Sequence, residues 1–290
     1  GDDPKLSCSD LAADRNRKVF PELGCGIRGV DQECGAALGA FEHIYFVSLE
    51  SLTSNDLILP TILSALGLTQ QSKTEPLTQL VDFIAGRSIL LVLDNLEGLL
   101  ENVNVLSDLL QQCPNLKLLV TSRERLNLEE EHLFPLEGLA FPLTNATFEE
   151  AKNVDAVALF SQRAQQLYPQ FELGEQLDAV LRICKLVEGL PLGLELAASW
   201  VRLMSCNEIA NEIERNLEFL ATTTRNVPER HRSLKAAFDY SWKLLTPKEQ
   251  EVLRKLSVFV GGFRREAASD VAGATIPLLA SLVDKSLLRV

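Results

Sequence analysis

The sequence predicts an α/β fold in its first half and an all-helical structure in its second half. Three short apolar runs, HIYFVSL, SILLVLD and LKLLVTSR, alternate with helical stretches between about His43 and Leu139. Strands buried on both faces of a parallel sheet have this continuous apolar character. Because helical segments separate the runs, we expect right-handed crossovers and an open parallel sheet. From Phe148 onward, amphipathic periodicity replaces the strand pattern.

Length and composition describe an ordinary globular protein. The 290 residues, 46% of them hydrophobic, leave room for two or three packed units. No apolar run reaches the roughly 18 residues of a membrane-spanning helix, so no membrane partner is expected. The six cysteines are scattered, without a zinc or disulfide pattern. The chain begins with Gly1 and shows no signal-peptide pattern, so we expect a fragment of a longer cytoplasmic protein.

Charge is distributed unevenly along the chain. The net charge of −12 argues against nucleic acid as a partner of the whole fragment. The stretch from Asn226 to Val290, however, contains 11 Lys and Arg against 7 Asp and Glu, a net charge of +4. This basic C-terminal part keeps DNA binding open as an alternative function.

Polar residues follow two of the predicted strands, at the edge where open parallel sheets bind ligands. Asp94 ends the run LLVLDN and could hold a Mg²⁺-bound water beside the phosphates of a nucleotide. It could equally cap the next helix. Arg123 ends the run LLVTSR and could bind a terminal phosphate. Alternatively, Arg123 or Arg125 could form an ion pair with Glu124 or Glu129 in a solvated loop.

The stretch ELGCGIRGVDQEC has the glycine spacing of a phosphate-binding loop. Four residues separate Gly24 from Gly29, with Gly26 among them, but Val30 and Asp31 stand where the motif has Lys and Ser or Thr. At about 4 Å and an effective dielectric constant of 20, a carboxylate would repel a phosphate charge by about 4 kcal/mol. Backbone amides could still bind phosphate, because they do not depend on side chains.

The second half predicts a succession of helices. Val157, Phe160, Ala164 and Leu167 share one face of a helix over Asp155–Leu167, and further helices are expected at about 175–187, after Pro191, and in NEIANEIERNLEFL. In EGLPL, the proline is common punctuation at a helix start.

After Pro228 a third group of elements begins. HRSLKAAFDYSWKLL is helical, and Thr246, Pro247 and Glu249 form the start signal of the next helix. A helix over Arg265–Ala272, the segment IPLLASLVDKSL and a short terminal strand LLRV follow. This order is typical of a winged-helix unit that lacks its final hairpin. The predicted domains are therefore 1–140 (1–35 atypical), 141–228 and 229–290.

Taken together, these motifs resemble the STAND class of signalling P-loop NTPases, in particular its NB-ARC-like branch. LLVLDNLEGLL is similar to the Walker B strand of that family, LLVTSRERL to its sensor strand and EGLPLGLELAASWVR to its Gly-Leu-Pro-Leu motif. The run from RHRSLKAAFDYSWKLL to SLLRV resembles its winged-helix domain. The nearest likeness is to bacterial members fused to transcriptional-regulator or other effector domains, and it covers about Ala36 to Val290.

The resemblance implies a role for several residues of this chain. Asp94 would organise Mg²⁺, Arg123 would sense the γ-phosphate, and Pro191 would lie against the adenine. The loop from Gly24 to Asp31 would occupy the phosphate-loop position. Asn95 stands where a second acid often follows in the family, so a catalytic base is missing there, and Glu97 is a substitute candidate.

The function that the resemblance implies is a regulatory switch that binds ATP or ADP with Mg²⁺. The replaced loop residues imply at most a weak ATPase activity. Effector and sensor domains of the same full-length chain would be its partners, and activation would involve self-association. Because Pro21 is poorly placed in a central strand, residues 1–35 form either a degenerate nucleotide pocket or a segment without that role. The alternatives are a DNA-binding regulator that uses the basic winged helix and a nucleotide-free interaction scaffold.

Overall fold

The computed structural model describes residues 41–52, 54–70, 74–142, 148–222, 231–259 and 262–289. The chain divides into two compact units. The α/β unit comprises Gly1–Phe134 together with Thr275–Val290, and the helical unit comprises Pro135–Ala274. The predicted three-domain division remains a prediction. All the residues of the predicted phosphate-binding loop lie outside the described part of the chain, namely Gly24, Gly26, Gly29, Val30 and Asp31.

The α/β unit contains a small parallel sheet, as predicted. Its strands are β1 (His43–Ser48), β2 (Ile89–Asp94) and β3 (Leu116–Val120), in the order β1-β2-β3. The described helices of this unit are α1 (Ile58–Ala65), α2 (Pro76–Ile84), α3 (Asn104–Gln112) and α12 (Ile276–Asp284), with short 3-10 helices at Asn55–Leu57 and Leu100–Asn102.

Strand β2 lies at the centre of this sheet, and its sequence explains why. Residues Ile89 to Leu93 are all buried, whereas Asp94 is only partly buried. One face of each flanking helix covers the sheet, as with Ile58, Ile62 and Leu63 of α1. Burying such side chains contributes about 1.5–3 kcal/mol each. The polar end of β2 is thereby kept at the edge of a well-packed layer.

Among its described residues the helical unit contains helices and loops but no strand, apart from one isolated bridge between Ala221 and Ser233. Its elements are α4 (Phe148–Ala151), α5 (Asp155–Leu167), α6 (Leu177–Leu186), α7 (Pro191–Ala198), α8 (Cys206–Arg215), α9 (Leu234–Lys243), α10 (Pro247–Leu256) and α11 (Arg265–Ala272). Short 3-10 helices occur at Gly174–Gln176 and Leu217–Phe219.

The predicted face of α5 is largely confirmed. Val157, Phe160 and Ala164 are fully buried in the core of the helical unit. Leu167 is 45% exposed instead, because it is the last residue of the helix and the chain turns away at Tyr168. The capping box at Thr246 and Glu249 is also confirmed, since both reciprocal hydrogen bonds are present at the start of α10.

The short terminal strand expected for LLRV is absent from its described residues, Leu287–Arg289. The chain instead closes the end of α12. Ser286 has a φ of 55°, and the backbone N–H of Leu287 donates to the carbonyl of Leu282 at 3.0 Å. This arrangement is the Schellman type of helix end. Leu287 therefore helps to terminate a helix and does not begin a strand.

No single helix among the described residues is long and apolar enough to cross a membrane.

Candidate functional site

Asp94 and Thr121 meet at the carboxyl edge of the sheet. The register pairs Leu93 of β2 with Val120 of β3, so the next residue of each strand lies beside the other. The Thr121 hydroxyl donates a hydrogen bond of 2.6 Å to Oδ1 of Asp94. The same hydroxyl accepts the backbone N–H of Asn95 at 3.0 Å. The orientation of the Asp94 carboxylate is therefore set by a neighbouring strand.

Asn95 turns the chain sharply as it leaves β2. Its φ of 68° lies in the left-handed region, which asparagine tolerates better than most residues. This turn directs the N–H of Asn95 to Thr121, and the next residue, Leu96, donates its N–H to the carbonyl of Thr121 at 3.1 Å. An asparagine at this position, where the resemblance implies an acid, therefore has a local structural reason.

Arg123 forms an ion pair with Glu97 at the same edge. The Nε atom of Arg123 lies 3.4 Å from Oε1 of Glu97. The Glu97 side chain is only 3% exposed, whereas that of Arg123 is 30% exposed. Glu97, the substitute candidate for a catalytic base, is therefore a buried carboxylate beside a guanidinium.

Arg125, two residues further on, is bound differently. Its Nε lies 3.3 Å from Oδ1 of Asp284, and its backbone N–H donates to the carbonyl of Asp284 at 3.1 Å. Asp284 is the last residue of α12. Arg125 therefore attaches the C-terminal helix to the α/β unit, which is a structural role separate from the edge around Asp94.

Pro191 belongs to the helical unit, whereas Asp94 and Arg123 belong to the α/β unit. It is the first residue of α7, where a proline needs no hydrogen-bond partner. Its side chain is exposed, as is that of Leu190. The adenine contact implied for Pro191 remains a prediction.

The described residues at the sheet edge fit the protein's share of a Mg²⁺–nucleotide site. No group of three or more His, Cys, Asp or Glu side chains in the described part of the chain could hold a metal ion by itself. Magnesium, however, is commonly held by one or two carboxylates, with waters and substrate phosphates completing its octahedron. Asp94, held in place by Thr121, supplies one such carboxylate.

A depression of about 330 Å³ lies among the segments that follow β1 and β2. Two hydrogen bonds of 3.3 Å cross it, from Asn55 to Glu101 and from Asn102 to Asp56. No predicted site residue lines it. The two hydrogen bonds connect the segment that follows β1 to the segment that follows β2.

Two contacts at this edge were not predicted from the sequence, namely the Thr121–Asp94 hydrogen bond and the Glu97–Arg123 ion pair. The sequence predicts the Thr-Ser-Arg cluster at this edge but gives no contact to Asp94. The Asp-Asn-Leu-Glu run carried a weaker signal, since an acid three residues after the strand end can reach the next strand when the chain turns at Asn95.

The chain is similar to part of several mycobacterial proteins, some of which are named as regulators. A protein of Mycobacterium tuberculosis (strain H37Rv) named "Putative HTH-type transcriptional regulator" is 34% identical over 277 residues, which is 91% of this chain and 30% of that protein. A protein of the same name from Mycobacterium bovis matches to the same extent. An uncharacterized protein of Mycobacterium tuberculosis is 32% identical over 248 residues, 82% of this chain and 60% of that protein.

The chain spans less than a third of the length of the named regulators and 60% of the uncharacterized relative. No protein-family model matches the chain. The similarity suggests a family of regulators, and this chain matches one segment of those longer proteins.

Proposed function

We propose that the chain is the nucleotide-binding switch module of a regulator, which binds ATP or ADP with Mg²⁺ at the carboxyl edge of its sheet. The observation that carries the proposal is the juxtaposition at this edge of an oriented carboxylate, Asp94, and a charge-paired guanidinium, Arg123. Ligands of open parallel sheets bind at this edge. The names of the relatives support a regulatory role.

In this proposal each side chain has a distinct task. Asp94 holds Mg²⁺, which on binding would neutralise phosphate charge. Arg123 contacts the terminal phosphate through charge-assisted hydrogen bonds. The glycines Gly24, Gly26 and Gly29 offer backbone amides. Because Val30 and Asp31 replace the lysine and the hydroxyl of the motif, we expect weak affinity and hydrolysis that is slow or absent.

A switch of this kind does not need fast hydrolysis. A ligand shifts a conformational equilibrium only by its difference in affinity for the two states. ATP and ADP differ by the γ-phosphate, so the group that contacts this phosphate determines the difference. Arg123 is that group in the proposal.

The first test is to denature the purified protein and to identify released nucleotide by ion-pair chromatography, followed by calorimetric titration with Mg²⁺-ATP and Mg²⁺-ADP at millimolar concentrations. We expect bound ADP, or measurable binding of both. Arg123→Ala should weaken ATP binding by about tenfold or more, the range for a hydrogen bond to a charged group. The matched control is Arg125→Ala, which removes an arginine from the same loop but leaves the edge intact. Absence of released nucleotide and of binding at millimolar concentration would reject the proposal and leave an interaction scaffold.

A second candidate function is DNA binding by the basic C-terminal part. It is favoured by the net charge of +4 over Asn226–Val290 and by the HTH-type name of the relatives, although this chain covers only 30% of their length. Lys248, Arg254 and Arg264 are exposed in this region. If DNA binds there, a duplex should shift in a gel at low salt, the shift should weaken with added salt, and Lys248→Ala with Arg254→Ala should reduce it. No shift at low salt would end this candidate.

A further inference from the structure

Glu97 is unusual among the acidic residues because it is buried without being a helix cap. Among the described residues, the only other buried acid is Glu249, which belongs to the capping box of α10. Glu97 lies three residues beyond β2, directly after the turn at Asn95. Its ion-pair partner is Arg123, the residue proposed to contact the terminal phosphate.

This ion pair could act in either of two opposite ways. Glu97 could compete with phosphate and hold Arg123 away from it, or it could support Arg123 while phosphate binds. Detaching the arginine would leave the Glu97 carboxylate, 3% exposed, without that counter-charge, which is strongly unfavourable in a protein interior. Phosphate, by contrast, is well solvated when free. Competition is therefore the less favourable of the two.

The geometry of the Arg123 guanidinium allows it to contact Glu97 and a phosphate at the same time. The contact to Glu97 is made by Nε, and arginine carries further N–H donors in a fixed fork that extends beyond Nε. The side chain is 30% exposed, so part of it reaches solvent at the edge. An anion would then contact the exposed part of the side chain while Nε stays beside the buried acid.

We infer that Glu97 is a positioning residue that holds Arg123 at the sheet edge and thereby sets the preference for ATP over ADP. This inference rests on the proposed function, because it assigns a role in recognising the terminal phosphate. It differs from a catalytic-base role in that Glu97 acts through Arg123 and not on a water molecule.

Simple electrostatics predicts the opposite result, which makes the inference sharply testable. Removing a negative charge close to an anion site should strengthen anion binding. If Glu97 positions Arg123, Glu97→Gln should instead weaken ATP binding, by about tenfold, the order of a lost hydrogen bond to a charged group. ADP binding should change by less than about twofold, because ADP lacks the phosphate that Arg123 contacts.

The experiment is a double-mutant cycle on the whole chain, with calorimetric affinities for Mg²⁺-ATP and Mg²⁺-ADP for the wild type, Glu97→Gln, Arg123→Ala and the double variant. Glu97→Gln should have no further effect once Arg123 is alanine. Glu101→Gln is the matched control, since Glu101 is an exposed acid in the 3-10 helix that follows and should leave both affinities unchanged. If Glu97→Gln does not fold, Glu97→Asp keeps the charge but withdraws it by one methylene, and it should also lose ATP preference.

Each outcome of the cycle is decisive. A selective loss of ATP binding that disappears in the Arg123→Ala background supports the inference. An equal loss for both nucleotides means a purely structural role, and stronger ATP binding means competition; either result overturns the inference but leaves the proposed function standing. A wild type that binds neither nucleotide overturns the proposed function and this inference with it.

Discussion

The hydroxyl of Thr121 makes two hydrogen bonds at the sheet edge. It accepts the N–H of Asn95 and donates to Oδ1 of Asp94. Because its single proton is directed to Asp94, the carboxylate must accept at that oxygen. The loop after β2 and the acid at the end of β2 are therefore both positioned by the same atom of Thr121, the residue that follows β3.

We predict that Thr121→Val weakens the Mg²⁺-dependent part of nucleotide binding by about tenfold, the lower end for residues that orient a metal ligand. Valine has the same shape but offers neither donor nor acceptor. Titration of ATP with Mg²⁺ and with EDTA measures the effect, which should be confined to the Mg²⁺ series.

Thr121→Ser is the control for this prediction, since serine keeps the hydroxyl and should bind as the wild type does. Equal Mg²⁺ dependence in the valine variant and the wild type would show that Asp94 needs no orientation by Thr121.

Part of the candidate site could be predicted from the sequence. The acid and the arginine could be assigned to one edge because both follow continuous apolar strands. Their partners could not be assigned. The register of two parallel strands is set by the packing of the crossover between them, and a shift of one residue would have placed Thr121 away from Asp94.

At the scale of elements, two backbone segments of the helical unit cross in close contact just before α7. The N–H of Leu139 donates to the carbonyl of Gly189 at 2.8 Å. A Cβ atom on Gly189 would lie 2.1 Å from the carbonyl oxygen of Leu139, and one on Gly138 would lie 2.1 Å from that of Glu188. The glycine in EGLPL therefore has a packing role, independent of any nucleotide.

We predict that Gly189→Ala lowers the free energy of unfolding by more than about 2 kcal/mol, because it combines left-handed backbone strain with overlap of backbone atoms. The φ of Gly189 is 67°. Urea denaturation followed by circular dichroism measures the change.

Gly138→Ala should lower the free energy of unfolding by a similar amount, since its Cβ atom would overlap the carbonyl oxygen of Glu188 in the facing segment. Gly174→Ala provides the comparison, because a Cβ atom there has no neighbouring atom within 4 Å. A Gly189→Ala variant as stable as Gly174→Ala would contradict the close contact of the two segments.

Most elements could be predicted because their signals are local. A capping box marks the start of α10, and a continuous apolar run marks β2. The short terminal strand expected for LLRV was predicted wrongly. The N–H of Leu287 bonds to the last turn of α12 because Ser286 adopts a left-handed conformation there.

At the scale of the whole molecule, both units keep their described cysteines as neutral buried thiols. Cys113 lies in the core of the α/β unit, and Cys184 and Cys206 lie in that of the helical unit. Burial raises the pKa of Cys184 to about 12 and that of Cys206 to about 11. It also raises the pKa of Cys113.

We predict that these thiols react with Ellman's reagent at pH 8 only after unfolding. Cys8, Cys25 and Cys34 should be replaced by serine in the tested protein, so that the signal reports on the three buried sites. Fast reaction in the native state would contradict the packing.

The same raised pKa values predict how stability depends on pH. The thiols stay protonated in the folded state above pH 9, whereas they ionise in the unfolded state. The contribution of the buried thiols to the free energy of unfolding is therefore complete below about pH 9, and it is lost as the pH rises towards 11 and 12. Unfolding curves of wild type and Cys184→Ala should converge over this range.

The membership of α12 in the α/β unit has a consequence for how the protein is made. The unit that contains the first described residue also contains helix Ile276–Asp284, and Arg125 contacts the end of that helix. During synthesis the ribosome adds about 5–20 residues each second, from the N-terminus onward. The helical unit therefore has all its residues available before the α/β unit does. The unit that begins first is therefore completed last. Arg125 is synthesised 159 residues before Asp284, the residue with which it forms an ion pair.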